Sequence, residues 1–416
     1  MSLRIFILCF LLATSRLLIA SPLLPGERLT IESKILSENR ELQVLLPEKY
    51  LENPDFSYPV IYLLDGDYNF RSVSGILEFL GNKGEMIPDV ILVGIADRGT
   101  ASYRHYMTPS ELPSISMEGQ NGNADDFRSF IEKEVKPLIH KRYRASTNSI
   151  LVGQSVGGLF VLDYYLEAPN AFDHYIAISP AVWYSENGII KKAKEKLKND
   201  RMNSRLSLSV ADEMQMGQYG FIHQLDMLPP GSADWSFRHY PEESHNSIGP
   251  ISLRNSLKEI FAGWYLPENS SSSLQDPESL VKYYQSKMEE FSLRQSIPSA
   301  SVKAAIRFFY RQEQTDKIDE FMDKIRDQLP QSEKAFLLMW VDYTAHFDTA
   351  ENGIKLLKKY EGKYRHSLDF NKTLADLYEK HGNKSMARKY YQEARSIAQS
   401  QDAEQWQINI LESKLL

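Results

Sequence analysis

The residues with the plainest chemical meaning in this 416-residue chain are Gly153-Gln154-Ser155-Val156-Gly157-Gly158. In a G-x-S-x-G segment the glycines turn the chain tightly and keep side chains off the approach to the hydroxyl. The segment follows the apolar run Ser149–Val152 and precedes Leu159-Phe160-Val161-Leu162, which places the serine between a strand and a helix. At a helix start, free N–H groups and the positive end of the dipole favour negative charge developing on an attacked carbonyl. The chemistry that follows is acyl transfer through a nucleophilic serine. The bland alternative, a glycine-rich turn with an idle serine, fits the strand-then-helix context less well.

Such a serine needs a base, and in a strand–elbow–helix enzyme the chain order is serine, acid, histidine. Nine histidines compete. His245 lies in the polar loop Pro241-Glu242-Glu243-Ser244-His245-Asn246-Ser247, directly after the strand-like Trp235–Tyr240. A loop at a strand's C-terminal edge is where a base can reach Ser155. His239 falls within the strand pattern and reads as structural, and His140 and His174 sit in no catalytic pattern. The acid belongs in the loop after Leu206–Val210, which reads Ala211-Asp212-Glu213-Met214. Either Glu213 or Asp212 can orient the imidazole there, and a Ser–His dyad with two solvated carboxylates is a third reading. Two backbone N–H groups must face the developing oxyanion. One is that of Val156, next to the nucleophile, and the other belongs to the loop Asp65-Gly66-Asp67-Tyr68.

The elements that position these groups are legible as short apolar runs. Leu29–Ile31, Leu42–Leu46, Tyr58–Leu64, Val90–Ile95, Ser149–Gly153, Tyr175–Ser179 and Leu206–Val210 read as strands, most of them apolar enough to be buried on both faces. Helical patterns, including Asp125–Tyr143 and Gly158–Glu167, alternate with them, so an α/β fold with a doubly wound, mostly parallel sheet is expected over residues 28–265. Residues 266–278, with the Ser270–Ser273 run, read as a linker, and strand signals vanish beyond them. Over 279–416 a smaller all-α domain is expected. Leu374, Ala375, Tyr378, Gly382, Ala387, Tyr391 and Ala394 have the small-and-aromatic spacing of a tetratricopeptide repeat. Degenerate units precede it at Gly353, Leu357, Tyr360 and at Ile318, Met322, Ile325, and the three are expected to stack. An unspecific helical bundle is the plainer alternative.

The four segments Val60–Gly66, Gly153–Gly158, Ile178–Trp183 and Glu243–Ser247 occur in the order of one known group. Over residues 30–262 the chain resembles the putative-esterase branch of the α/β hydrolases, and within it the enterobactin- and siderophore-esterase-like group, related to S-formylglutathione hydrolase and feruloyl esterases. The resemblance implies Ser155 as nucleophile, His245 as base through an E-x-H-x-S pattern, and Asp67 as the second oxyanion amide. It favours Glu213 over Asp212, and some members of the branch run on a dyad. It also exposes a departure: where the family carries an R-D-x-T-P segment, this chain has His105-Tyr106-Met107-Thr108-Pro109. An anionic ligand would lose a cationic contact there, for which Arg98 or Arg104 are substitutes. Trp183, Tyr184, Tyr68 and Tyr106 are candidates for an aromatic wall.

Composition narrows the class further. A net charge of −7 gives no electrostatic footprint for nucleic acid, and the single cysteine allows neither a disulfide framework nor a cysteine-type zinc site. No metal-binding motif and no cofactor are indicated. Residues 1–21 read as a secretory signal, with Arg4, a short apolar run and Ala20 near the cut, and Arg16 interrupting any membrane span. Its removal takes Cys9 with it, which suits a periplasmic or secreted protein. The expected activity is that of a serine carboxylesterase acting on a small-molecule ester. An acyltransferase with the same residues is one alternative, and a binding or assembly module with a relic hydrolase domain is another. The helical repeats offer a surface for a protein partner or self-association.

Overall fold

The computed structural model describes residues 26–115, 119–197, 202–213, 215–267, 276–401, 403 and 405–416. The segment read as a signal, with Cys9, and most of the segment read as a linker lie outside them. Eight strands form one sheet: β1 (Glu27–Ser33), β2 (Glu38–Leu45), β3 (Tyr58–Leu64), β4 (Ile91–Ile95), β5 (Ala145–Gln154), β6 (His174–Ile178), β7 (Arg205–Val210) and β8 (Asp234–His239). Their order is β1-β2-β4-β3-β5-β6-β7-β8. β1 and β2 are antiparallel, β2 runs antiparallel to β4, and all pairs from β4 to β8 are parallel.

Parallel neighbours require crossovers, and helices supply them on both faces. They are α1 (Gly66–Leu77), α2 (Thr100–Met107), α3 (Ala124–Phe130) continuing through a wider turn into α4 (Lys136–Arg142), α5 (Val156–Glu167), α6 (Tyr184–Lys196), α7 (Gln218–Asp226) and α8 (Ile248–Ile260). Side chains alternate across a strand, so each strand feeds two cores. Val60, Tyr62, Leu64, Leu151 and Tyr175 pack with Phe127, Phe130 and Phe160 of α3 and α5. Ile61, Leu63, Ile150, Val152 and Ile176 pack with α1 and α8.

That second core does not stop at α8. It continues through Phe261 and Trp264 into an all-helical region: α9 (Pro277–Glu290), α10 (Ser299–Arg311), α11 (Ile318–Gln328), α12 (Glu333–Phe347), α13 (Ala350–Lys358), α14 (Glu361–Tyr364), α15 (Leu368–Lys380), α16 (Lys384–Ser400) and α17 (Gln405–Ser413). Phe261 meets Phe291 edge-on at 5.2 Å, and Trp264 meets Tyr284 at 5.8 Å. Leu374, Ala375, Ala387, Tyr391 and Ala394 are buried between α15 and α16, and Gly382 turns the chain between them at φ 84°.

The helices are stapled to the edge where the parallel strands begin. Ser57, just before β3, forms a β-bridge with Arg294. Gln295, 3% exposed, accepts from the Asp89 N–H at 2.8 Å and donates to the Asp89 and Ser57 carbonyls at 2.7 and 3.2 Å. One buried amide thus satisfies backbone groups at the starts of two strands. Lys49–Asp369 and Lys334–Asn53 contacts join the same seam.

Candidate active site

The sequence-predicted residues gather at the opposite edge, where the parallel strands end. Ser155 follows β5 with φ 57° and ψ −117°, a conformation an L-residue adopts only under constraint. The constraints are visible. Ser155 N–H donates to the Ile178 carbonyl at 2.9 Å, and its own carbonyl accepts from Ala181 and Leu159, both at 3.0 Å. A Cβ on Gly158 would come within 2.9 Å of Pro180 Cα, and one on Gly153 would strike the Gly157 carbonyl, so the elbow closes only on glycine. The Ser155 side chain is half-buried and makes no capping bond to α5.

Tyr103, which no spacing argument singled out, locks the turn from the side. Its hydroxyl accepts from the Gly157 N–H at 2.9 Å and donates to the Gln154 carbonyl at 3.3 Å. It reaches there from α2, just before the departed 105–109 segment. Burial raises its pKa, so the hydroxyl stays protonated and able to donate.

Glu213 and His245 meet. Nδ1 of His245 lies 2.8 Å from Glu213 Oε2, with the glutamate side chain 15% and the histidine 35% exposed. The bond joins the loops after β7 and β8, which are also tied by Asp212 N–H donating to the Glu243 carbonyl at 3.0 Å. Asp212 itself is exposed. With Nδ1 on a carboxylate, Nε2 is left for proton transfer. Gln154, beside Ser155, donates through Nε2 to the His245 carbonyl at 2.5 Å, tethering the histidine loop to the elbow. His174 opens β6 at the far edge, where burial pushes its pKa down to about 4, and His239 ends β8 facing solvent.

Val156 and Asp67 fall in the first turns of α5 and α1, where amides have no intrahelical acceptor. Asp67 is also part of a carboxylate cluster that its spacing does not announce. Oxygens of Asp65, Asp67 and Asp97 lie within 4.8 Å of one another, and Asp67 Oδ1 accepts from the Asp97 N–H at 3.0 Å. Burial and the neighbouring Asp97 push Asp65 up to about 7. Of the aromatic candidates, Tyr68 is 74% and Trp183 49% exposed beside the elbow. Tyr106 turns away, stacked near the buried Arg40 guanidinium at 5.3 Å, and Tyr184 is bonded to the Pro113 carbonyl. Arg98 is engaged by Glu38 at 2.5 Å.

Residues 33–217 match the family profile described as "Esterase: Putative esterase". The match spans less than half of the chain. Among relatives, the chain is similar to ferri-bacillibactin esterase BesA of Bacillus subtilis, 28% identical over 260 residues that cover 56% of this chain and 89% of the relative. It is also similar to an IroE-like serine hydrolase from Shewanella oneidensis of known crystal structure, at 25% identity and a TM-score of 0.59, covering 75% of this chain and 99% of the other. A crystal structure from Capnocytophaga ochracea matches 93% of this chain and 99% of its own at a TM-score of 0.55 and 18% identity, a likeness of fold that extends into the helical region.

Proposed function

We propose that the protein is a serine carboxylesterase working through an acyl-enzyme on a siderophore-like or other acyl or aryl ester. The observation that carries this reading is the 2.8 Å bond between His245 and Glu213, set beside a serine held in an elbow. Ser155 Oγ attacks the ester carbonyl as His245 Nε2 takes its proton, and Glu213 holds the ring and stabilises the imidazolium. The Val156 and Asp67 amides receive the negative charge on the carbonyl oxygen. Collapse of the tetrahedral adduct breaks the bond to the alcohol, which leaves with the proton from His245. Water, deprotonated by the same nitrogen, then releases the acid. The siderophore class rests on likeness to BesA, and export rests on residues 1–21. The paired helices of the tail serve, in this reading, as tetratricopeptide-like repeats for a partner. The test is fluorophosphonate labelling and turnover of p-nitrophenyl butyrate. Ser155→Ala abolishes both, and His245→Ala costs a comparable factor in turnover because the two act as a unit. Label that persists in Ser155→Ala refutes the assignment.

A further inference from the structure

A crevice of about 260 Å3 opens between α1 and the start of α8. Three of its lining residues are chain neighbours of the reacting groups. Gln154 precedes the nucleophile, Tyr68 follows Asp67, and Asn246 follows His245. The floor is apolar, made by the strand-end residues Leu63, Val152 and Ile178. No lining residue carries a charge.

We propose that this crevice is the subsite for one arm of the ester, and that the arm it takes is neutral and compact, a short acyl or alkyl chain or a single aromatic ring. The proposal rests on the esterase reading above. An apolar cavity of about 150 Å3 already holds benzene, so this volume admits one substituted ring or a chain of about six carbons and excludes a fused or branched group. The missing charges decide the rest. A carboxylate or a metal-bound catecholate entering here would give up water and find no cation, a cost that neutral groups avoid. The charged part of any larger substrate therefore stays outside, over the exposed Tyr68.

The experiment uses the full chain and two ester series. One varies the acyl chain from acetyl to octanoyl on p-nitrophenol and includes p-nitrophenyl hemisuccinate. The other varies the alcohol of butyrate esters from methyl to hexyl and benzyl. In one series, which identifies the arm, kcat/KM is expected to rise by up to about fourfold per methylene over the first few carbons and then fall. The hemisuccinate should be at least about tenfold slower than the neutral ester of equal length. Ser72→Phe at the mouth should move the optimum to shorter chains, and Ile76→Ala in the wall should move it to longer ones. Two flat series, a hemisuccinate as fast as its neutral counterpart, or a ranking unmoved by both variants overturns the subsite. Absence of fluorophosphonate labelling together with no turnover of any ester overturns the esterase reading, and this proposal with it.

Discussion

Replacing Glu213 with glutamine keeps the side-chain shape and removes the charge that faces His245. The imidazole becomes an imidazolium only as the proton leaves Ser155, so the loss falls on the transition state and lowers kcat/KM. A hydrogen bond to a charged partner contributes about 1.5–3 kcal/mol, which converts to a factor of about 10 to 150. With His245 35% exposed at 2.8 Å from Glu213, water takes up part of the loss, and the lower half of that range is expected. Glu213 Oε1 is buried without a partner among the described residues, so a glutamine NH2 there would also cost stability. Glu213→Ala, with thermal melts of both variants, separates that cost from catalysis. Asp212→Asn, on an exposed side chain, should stay within about twofold. The assay is initial-rate hydrolysis of p-nitrophenyl butyrate. A Glu213→Gln variant as active as the parent, or an Asp212→Asn variant that loses turnover, refutes this role for Glu213.

Three further outcomes are expected. Tyr103→Phe removes the bonds to Gly157 N–H and the Gln154 carbonyl, and should lower kcat about tenfold with KM nearly unchanged, since it fixes the elbow without touching substrate; a change confined to KM would contradict this. Gln295→Ala strands the Asp89 and Ser57 backbone groups at the seam and should lower Tm by several degrees in calorimetry while kcat/KM stays within about twofold. Asp65 has its pKa raised in the folded protein, so its contribution to stability is complete below about pH 4 and is lost as pH rises through about 7. Asp65→Asn should therefore gain more Tm over the parent at pH 8 than at pH 5, and a difference independent of pH would count against it.

The strands were legible because burial on both faces writes them as unbroken apolar runs, as in Val60–Leu64 and Ile150–Val152. The elbow was legible because its backbone geometry admits only glycine at Gly153 and Gly158. The choice between Glu213 and Asp212 was not, since one residue's difference in a loop is settled by where the loop after β8 passes. Tyr103 and the Asp65–Asp67–Asp97 cluster were hidden for a related reason: their partners are tens of residues away, and no periodicity encodes such a meeting. The composition of residues 266–278 gave no sign of the seam between the sheet and the helices. Phe261 and Trp264 look like the end of one core and are the middle of another, shared with α9.

The strand ends carry the candidate site and the strand starts carry the helices, so the sheet acts as a spacer between two rims. A body gripping the outer helices would leave the ester mouth facing bulk solvent. Tethering the chain through its C-terminus to a bead, a wall or a fusion partner should thus leave diffusion of substrate unhindered. The same separation means that any influence of a tail-bound partner on turnover has to travel through packed structure, either Gln295 and the strands it caps or the core that Phe261 and Trp264 carry from α8.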